Sequence, residues 1–405
     1  MSALDGIRMV RRSVRLALGL SLALATGAVQ ALDVTISAEY LGGGSGRFDN
    51  TTPPGGLCKY WVATCRTMTT VELPITYVKK TTKGAADPRD HYFIKLPSRR
   101  DVDVYHDETG EARRMTFEWM ALSQSVVITK GSLAFSHPLY NRSLNGGCSG
   151  IGYVSDNTLS KVTYLWRVTN PQAPQGCWSY NRFAANGLVT DAIVQDTSVA
   201  YNLDVPPPYR LRAGTYRGSL TYTIGPGGDF DFGNDVSQLS GDTLTVNFVL
   251  DVRHAFLFEF PPGSDRAVLE PKGGWSAWLA GGKAPTRLYR DLPFRLWSTG
   301  PFKVYKLCQH TADVRCGIVN DNAHQVPVEV ALSLPGGIQY QGRPVEHLPL
   351  PTGRAAALQF ESLMPTLNRP GQLHFAVGRA DVPSMLAHAG STYTGQVTVV
   401  FDAEL

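Results

Sequence analysis

The residues from Thr392 to Phe401 alternate strictly between two sets of side chains. A period of two is typical of a β-strand with one buried face and excludes a helix, whose apolar residues recur every three or four positions. The alternation therefore predicts a strand near the C-terminal end, with its apolar face buried. One face carries Tyr393, Gly395, Val397, Val399 and Phe401, and the other carries Thr394, Gln396, Thr398 and Asp402.

This strand has a near copy upstream. Residues 215–222 and 392–399 share the pattern Thr-Tyr-x-Gly-x-hydrophobic-Thr. The copy suggests two related β domains in tandem, although short alternating patterns also recur by chance in β proteins.

Composition also favours an all-β chain. The sequence holds 40 Gly and 26 Pro among 405 residues. Turn signals recur every ~8–12 residues between short alternating runs, a spacing typical of sandwiches. No convincing amphipathic helix interrupts them. We therefore expect an all-β fold, and seven short strands predicted in the last ~150 residues suit an immunoglobulin-like β-sandwich.

Residues 1–31 have the features of a signal peptide. Arg8, Arg11, Arg12 and Arg15 form a basic region, an apolar stretch follows, and Val29-Gln30-Ala31 is a small-residue cleavage site. Translation could start at Met1 or at Met9. The Arg11-Arg12 pair is similar to a twin-arginine signal, but the remainder of that motif is missing, so a general secretory signal is preferred.

Removal of this peptide lowers the formal charge from +4 to +1, because residues 1–31 contain four Arg and one Asp. This balance favours neither nucleic acid nor an anionic membrane as a partner. No later segment reaches the ~18 apolar residues of a membrane span. We expect a soluble protein that is exported through the periplasm.

Six cysteines follow the predicted signal peptide, and an even number in an exported chain indicates disulfides. Six cysteines allow about 15 connectivities. We favour pairing of sequence neighbours, since each bridge then closes a loop within one domain. The predicted pairs are Cys58 with Cys65, Cys148 with Cys177, and Cys308 with Cys316.

The predicted domains are residues 32–252 and 253–405, with the boundary at Val252–His254. Nothing after Phe401 could supply another strand, so the last strand should end its sheet or await a partner. Strands predicted in the first domain cover residues 32–38, 71–78, 91–96, 116–130, 160–168, 216–224 and 243–251. Those in the second cover residues 256–260, 265–269, 287–298, 302–309, 326–334, 354–361 and 393–401.

Sequence motifs give catalysis little support. The nine histidines form no His-Glu-x-x-His motif, and neither a Gly-x-Ser-x-Gly elbow nor a P-loop is present. Cys148 lies in a glycine-rich turn that resembles a nucleophile loop, but we expect it to be oxidised. Residues 101–107 resemble a calcium loop, yet Tyr105 and His106 replace an oxygen ligand and the required Gly.

Two kinds of polar residue remain candidates. Asp229, Asp231 and Asp235 could bind calcium, or two of them could act as an acid/base pair on a sugar. The alternative is a solvated turn in which Phe230 and Phe232 are buried.

The stronger candidates are Arg47, Arg66 and Arg182, which lie beside or between the cysteine-closed loops. A guanidinium binds a carboxylate with two hydrogen bonds, as on sialic acid or another acidic glycan.

The order of several segments resembles the tip adhesins of the class 5, alternate chaperone-usher fimbriae. This family includes the colonisation-factor tip adhesins and the cable-pilus minor subunit. The resemblance covers most of the mature chain and is better in the second domain. The segments that carry it are residues 256–261 and 302–308, Cys177 followed by Asn181-Arg182, and residues 389–399.

The resemblance implies two tandem immunoglobulin-like β-sandwich domains, an adhesin domain followed by a pilin domain whose sandwich lacks one strand. A periplasmic chaperone, and later the N-terminal extension of a pilin subunit, would add the strand. Tyr393, Val397, Val399 and Phe401 would then border the acceptor groove. The implied partners are the chaperone, an outer-membrane usher, the major pilin and a host glycan or glycoprotein, and the implied location is the fimbrial tip at the cell surface. No cofactor or metal is expected.

The family also implies a basic receptor pocket on the adhesin domain. Arg182 and Arg47 match family segments by position, whereas residues 225–230, where further pocket arginines should fall, read Gly-Pro-Gly-Gly-Asp-Phe. We therefore expect a non-enzymatic tip subunit that initiates assembly and binds receptors. The alternatives are a secreted β-sandwich carbohydrate-active enzyme using Asp229 and Asp231, and a free periplasmic lectin.

Overall fold

The computed structural model describes residues 31–128, 143–156, 160–180, 184–264 and 266–403. Apart from Ala31, the predicted signal peptide lies outside the described residues. Over the described residues the chain is all-β and folds into several sheets, as its composition predicted.

The N-terminal region, defined here as residues 31–253, contains the first fifteen strands and one short helix, α1. The strands are β1 Ala31–Leu41, β2 Asp49–Asn50, β3 Thr69–Leu73, β4 Tyr77–Thr82, β5 Tyr92–Ile94, β6 Arg100–His106, β7 Ala112–Val127, β8 Ser143–Gly146, β9 Cys148–Ser155, β10 Lys161–Val168, β11 Cys177–Tyr180, β12 Val189–Asp204, β13 Gly214–Thr223, β14 Val236–Ser237 and β15 Thr243–Arg253. Helix α1 is Val62–Cys65.

Twelve of these strands form one sheet among the described residues, and β5, β11 and β8 form a small second sheet. Strand β1 pairs with β15 in parallel over the whole length of both, from Ala31 opposite Thr243 to Leu41 opposite Arg253. Strand β13 pairs with the other side of β15 in the antiparallel sense. Six pairings separate β12 from β2 along the sheet, yet the hydroxyl of Tyr201 in β12 donates a hydrogen bond to Thr52, just beyond β2. The sheet therefore curls and brings β12 close to β2.

An aromatic core fills the curled sheet. Strand β15 alternates buried and half-buried residues along its length, and its Phe248 packs edge-on against Phe117 at 5.1 Å. Phe117 also contacts Trp119, which in turn packs against Phe230. The period of two in the sequence therefore corresponds directly to the buried face.

The C-terminal region, defined here as residues 256–403, contains the remaining strands and two short helices. The strands are β16 Phe256–Glu259, β17 Leu288–Ser298, β18 Phe302–Cys308, β19 His310–Ala312, β20 Arg315–Val319, β21 Gln325–Ser333, β22 Ile338–Tyr340, β23 Arg343–Pro344, β24 Leu348–Pro349, β25 Leu358–Ser362, β26 Thr366–Val377 and β27 Val397–Ala403. The helices are α2 Ser276–Leu279 and α3 Val382–Leu386.

Two sheets enclose a separate core in this region. One runs β16-β17-β26-β21-β20-β19 with β24 beside β21, and the other runs β23-β22-β25-β18-β27. Phe294, Leu296, Phe302 and Phe360 are buried between them. On the opposite face of the first sheet, His374 joins three neighbouring strands. It hydrogen-bonds to Asp291 of β17 and to Ser333 of β21, at 2.8 Å in each case.

The two regions are joined by only His254 and Ala255. The ring of His254 packs edge-on against Tyr40, and its Nε2 lies 2.8 Å from the carbonyl oxygen of Leu211. Burial lowers the pKa of His254. Gly42, with φ of +70°, lies so close to Ala255 that an added Cβ would be 2.6 Å from its backbone nitrogen.

The disulfide prediction is confirmed. Three bridges join Cys58 to Cys65, Cys148 to Cys177, and Cys308 to Cys316, and no cysteine of the described residues is free. Cys148 is therefore not available as a nucleophile.

Several strand predictions were wrong. Residues 266–269 of the predicted strand 265–269 form none, residues 71–78 contain parts of two strands, and residues 354–356 form a 3₁₀ turn before β25. The last strand begins at Val397 rather than Tyr393, because Thr394 pairs with Val319 of β20 before the chain reaches β18. The long strands β12 and β26 were not predicted.

Candidate functional site: an open apolar groove

Within the described part of the chain, strand β27 is paired along one edge only. It runs antiparallel to β18 from Cys308 opposite Val397 to Phe302 opposite Ala403. No strand of the described residues pairs with its other edge. The upstream copy differs in this respect, because β13 lies between β6 and β15.

Two hydrogen-bond patterns identify the backbone groups on the unpaired edge. Gln309 N–H donates to the carbonyl of Gln396, so Gln396 faces β18. Lys306 lies opposite Val399; its N–H donates to the carbonyl of Pro351 and its C=O accepts from the N–H of Gly353, so both groups point away from β27. Since these groups alternate along a strand, Val397, Val399 and Phe401 direct their N–H and C=O groups to the unpaired edge.

A second unpaired edge faces the first. Strand β16 pairs with β17 and, among the described residues, with no other strand. It begins the opposite sheet, and its Phe258 lies 4.8 Å from Phe401 of β27, measured between ring centroids. Phe401 also lies near Phe256 and Phe294, at 6.1 and 5.8 Å. The two sheets thus meet at this end but are not joined by hydrogen bonds between β16 and β27.

From this aromatic end an apolar groove of about 1290 Å³ extends between the sheets. Its volume exceeds the ~300–1,000 Å³ of typical small-molecule sites. Leu288, Leu292, Val328 and Leu373 are among the core residues that it reaches. All four residues predicted to border a groove line it: Tyr393, Val397, Val399 and Phe401.

The apolar side chains of β27 are less buried than the core because the groove beside them is open. Val397, Val399 and Phe401 are only half-buried, whereas core residues such as Leu296 and Val304 are fully buried. The remaining walls come from two further stretches. One contributes residues 266–269, Trp275 and Trp278, and the other contributes residues 388–396. Sequence reasoning missed Trp275 and Trp278, because they lie between predicted strands and follow no period.

The predicted acidic cluster does not form a free site. Arg100 binds Asp229, and Arg89 binds Asp231 through both carboxylate oxygens. Burial would raise the pKa of Asp231, but the hydrogen bonds from Arg89 and from the backbone outweigh it and keep the pKa below its ordinary value. Phe230 and Phe232 are fully buried, as the alternative interpretation expected.

Arg89 and Arg100 were missed by sequence reasoning, since they lie far from these aspartates in the chain. Their ion pairs remove the basis for a carboxylate acid/base pair at Asp229 and Asp231. In the described part of the chain, no group of three or more His, Cys, Asp or Glu residues is arranged to hold a metal ion.

The three predicted receptor-binding arginines are not brought together by any contact in the described residues. Arg47 is exposed and follows Gly46, which lies against Tyr209 and Pro365 at the junction of the two regions. Arg66 is exposed at the end of α1, next to the Cys58–Cys65 bridge. Arg182 lies outside the described residues.

Neither a protein-family model nor a curated protein matches the chain. Among solved structures, the chain is similar to a chaperone–tip adhesion subunit pre-assembly complex, CsuC–CsuE, from the archaic chaperone-usher Csu pili of Acinetobacter baumannii. The match covers 92% of this chain and 99% of that chain, at 10% identity and a TM-score of 0.22.

No helix in the described residues has the length and apolar character needed to cross a membrane.

Proposed function

We propose that the chain is a tip subunit of a chaperone-usher pilus, and that a β-strand from another protein completes its C-terminal region. The observation that carries this proposal is the apolar groove between the unpaired edges of β16 and β27. The first partner is a periplasmic chaperone, and the later one is the N-terminal extension of a major pilin that replaces it after delivery to the usher.

A strand fits this groove better than a small molecule does. Val397, Val399 and Phe401 offer main-chain donors and acceptors along the unpaired edge, and the same residues line the groove. An added strand would satisfy those groups and insert every second side chain between the sheets. An edge of this kind next to exposed apolar surface promotes aggregation unless another chain covers it.

The proposal divides the chain into an adhesin domain, residues 32–252, and an incomplete pilin domain, residues 253–405. The separation of the two hydrophobic cores supports this division. Export through the periplasm and a place at the fimbrial tip follow from the same proposal.

The groove is tested with the mature chain, residues 32–405, isolated from a periplasm with and without the chaperone. A synthetic peptide that copies the alternating apolar residues of the pilin extension is then added. We expect the chain to aggregate alone and to gain solubility and a higher Tm with the peptide. A stable monomer that is indifferent to chaperone and peptide would contradict the proposal.

A matched pair of variants locates the binding site. Val397→Arg places a charge in the groove and should abolish the rise in Tm, because a guanidinium there is costly to desolvate. Val400→Arg changes a residue of the same strand that does not line the groove and should leave the rise intact. Equal effects of the two substitutions would argue against binding in the groove.

Receptor binding is proposed for the N-terminal region through Arg47, Arg66 and Arg182. The exposure of Arg47 and Arg66 supports it, since each guanidinium is accessible to an acidic glycan. We expect Arg66→Gln to weaken binding to sialylated glycans on an array, with Arg369→Gln, an exposed site in the C-terminal region, as the control. Unchanged binding by all three single variants at Arg47, Arg66 and Arg182 would contradict this assignment.

A further inference from the structure

Three polar side chains form a chain of hydrogen bonds on the outer face of the first sheet of the C-terminal region. Ser333 Oγ lies 2.8 Å from His374 Nε2, and His374 Nδ1 lies 2.8 Å from Asp291 Oδ1. A nucleophile, a base and a carboxylate that orients the base, joined through these atoms, have the arrangement of a Ser-His-Asp triad. No sequence motif marks it, because Ser333 and Asp291 are 41 and 83 residues from His374 in the chain.

Strand pairing brings the three residues together. Asp291 of β17 is directly opposite His374 of β26. Ser333 of β21 is opposite Gln372, whose side chain is on the same face of the sheet as that of His374. Leu373, between them in the sequence, lines the groove on the other face. An activity of the three polar residues is therefore separate from strand binding and goes beyond the proposed role in a pilus.

A fourth residue, His347, fixes the direction of these hydrogen bonds. Its backbone N–H donates to Ser333 Oγ at 2.9 Å. Since Oγ accepts there, the hydroxyl proton of Ser333 is available to His374 Nε2. An ionised carboxylate can only accept, so Asp291 places the imidazole proton on Nδ1. The imidazole therefore directs a lone pair at the serine hydroxyl, which is what a general base requires.

Exposure differs between the base and the nucleophile. His374 is 4% exposed, and the ring of His347 packs nearly parallel to its ring at 3.9 Å. Ser333 is half-buried, and Asp291 is exposed. The base is thus shielded from water while the serine is accessible to an electrophile. His347 also has a φ of +48°, a costly conformation of a kind that clusters at functional sites.

We propose that these residues form a catalytic triad that hydrolyses small carboxylic esters. Ser333 is the nucleophile, His374 is the general base and Asp291 is a positioning residue. Ser333 Oγ attacks the carbonyl carbon and its proton passes to His374 Nε2; the bond to the alcohol oxygen then breaks, and the alcohol leaves with that proton. Water attacks the acyl-serine in the same way, which releases the carboxylic acid and restores the hydroxyl.

The expected substrates are esters rather than amides. The His347 N–H, already at Ser333 Oγ, is placed to donate to the oxyanion that forms on the attacked carbonyl. One donor stabilises an oxyanion less than the sets of donors found in acyl-transfer sites. An alcohol is also an easier leaving group than an amine, so the ester has the lower barrier.

The test uses a fluorophosphonate probe and the mature chain, kept soluble by the strand peptide where needed. An activated serine Oγ attacks the phosphorus atom, fluoride leaves, and mass spectrometry identifies the residue that carries the stable adduct. We expect the adduct on Ser333, formed at least ~100-fold faster than in His374→Gln, because a general base contributes about 10²–10⁴-fold. Ser384→Ala is the matched control, since this half-buried hydroxyl donates to the carbonyl of Asp381 and its loss should leave the rate unchanged.

Asp291 is tested by substitution and by rescue. Asp291→Asn should slow labelling about tenfold or more, because the imidazole loses the carboxylate that sets its tautomer. Asp291→Glu keeps a carboxylate and should recover part of the rate. A merely structural role gives the opposite order, because Asn has the shape of Asp and Glu does not.

Turnover is measured with p-nitrophenyl acetate, and Ser333→Ala should lose the hydrolysis that exceeds the background from other histidines. Three results would overturn the proposal: no adduct on Ser333 under conditions that label a known serine hydrolase, equally fast labelling in His374→Gln, or unchanged hydrolysis in Ser333→Ala. Urea unfolding shows whether each variant is folded, and the wild-type adduct is decisive even where a variant is not. None of these results bears on strand binding in the groove.

Discussion

The direction of the backbone groups in β27 makes a sharp prediction about two adjacent valines. Val399 directs its N–H to the unpaired edge, whereas Val400, opposite Tyr305, directs its N–H to β18. Proline removes an N–H and is tolerated in a sheet only where that group has no strand partner. Val399→Pro should therefore preserve the stability of the free protein but impair binding of an added strand. Val400→Pro should destabilise the free protein but leave the outer edge able to bind a strand.

The magnitudes follow from what each substitution removes. In Val400→Pro a ladder hydrogen bond is lost and the ring meets β18, so we expect the free energy of unfolding to fall by ~3 kcal/mol. In Val399→Pro the free protein loses no ladder bond, and we expect a change below ~1 kcal/mol, since surface substitutions away from special features have small effects. Strand binding should weaken at least tenfold, because one hydrogen bond worth ~0.5–1.5 kcal/mol is lost and the ring obstructs the approach of the strand.

Urea unfolding of each free variant and calorimetric titration with the strand peptide measure the two effects. Val399→Ala serves as the control for the loss of the side chain, because it keeps the N–H. Two results would refute the reasoning: normal peptide affinity in Val399→Pro, or equal destabilisation of the free protein by both proline substitutions. Either would mean that the outer edge of β27 is not the edge on which a strand binds.

Three further predictions concern the stability of the free protein. Replacing Cys148 and Cys177 by Ser opens a loop with a sequence separation of 29 and should lower the free energy of unfolding by ~3–4 kcal/mol in urea titrations; a loss below ~1 kcal/mol would contradict the estimate. Asp231→Asn should cost ~2–4 kcal/mol at pH 7. The folded pKa of Asp231 is lowered, so the stability that its carboxylate contributes is present at neutral pH and is lost as the pH falls below the ordinary value of 3.8. The free energies of unfolding of wild type and variant should therefore converge at low pH, and a difference that stays constant with pH would contradict this account. Gly42→Ala should lower stability by ~1–3 kcal/mol because the new Cβ meets Ala255 at a positive φ, whereas Gly43→Ala, with open space, should not; equal losses would exclude this cause.

Most of the segments that periodicity predicted as strands do contain one, because a sheet with one buried face repeats every two residues. Periodicity failed at β26, a central strand that contains Pro370 and Gly371. No strand was predicted there, yet Pro370 pairs with Arg295, and Gly371 lies against the ring of Phe294, where a Cβ would be 2.4 Å away. Tertiary packing therefore explains a glycine that local propensity assigns to a loop.

The candidate site was only partly predictable for a related reason. The alternation at Val397 and Val399 identified one wall of the groove. The opposite wall depends on β16, on residues 266–269 and on Trp275 and Trp278, which lie far from β27 in the sequence. Likewise, Asp229 and Asp231 form ion pairs with arginines that are distant in the sequence. Periodicity describes one strand at a time, whereas these features depend on contacts between segments far apart in the chain.

The parallel pairing of β1 with β15 has a mechanical consequence. Only two residues separate β15 from β16, so tension applied to the C-terminal region enters the N-terminal region along the axis of β15. Hydrogen bonds to β1 and β13 flank this strand over its full length. A pull along the axis loads both ladders in shear, so that many bonds must break together rather than one after another. In single-molecule stretching, β15 should therefore act as a clamp whose rupture requires more force than peeling an edge strand such as β27 from its sheet.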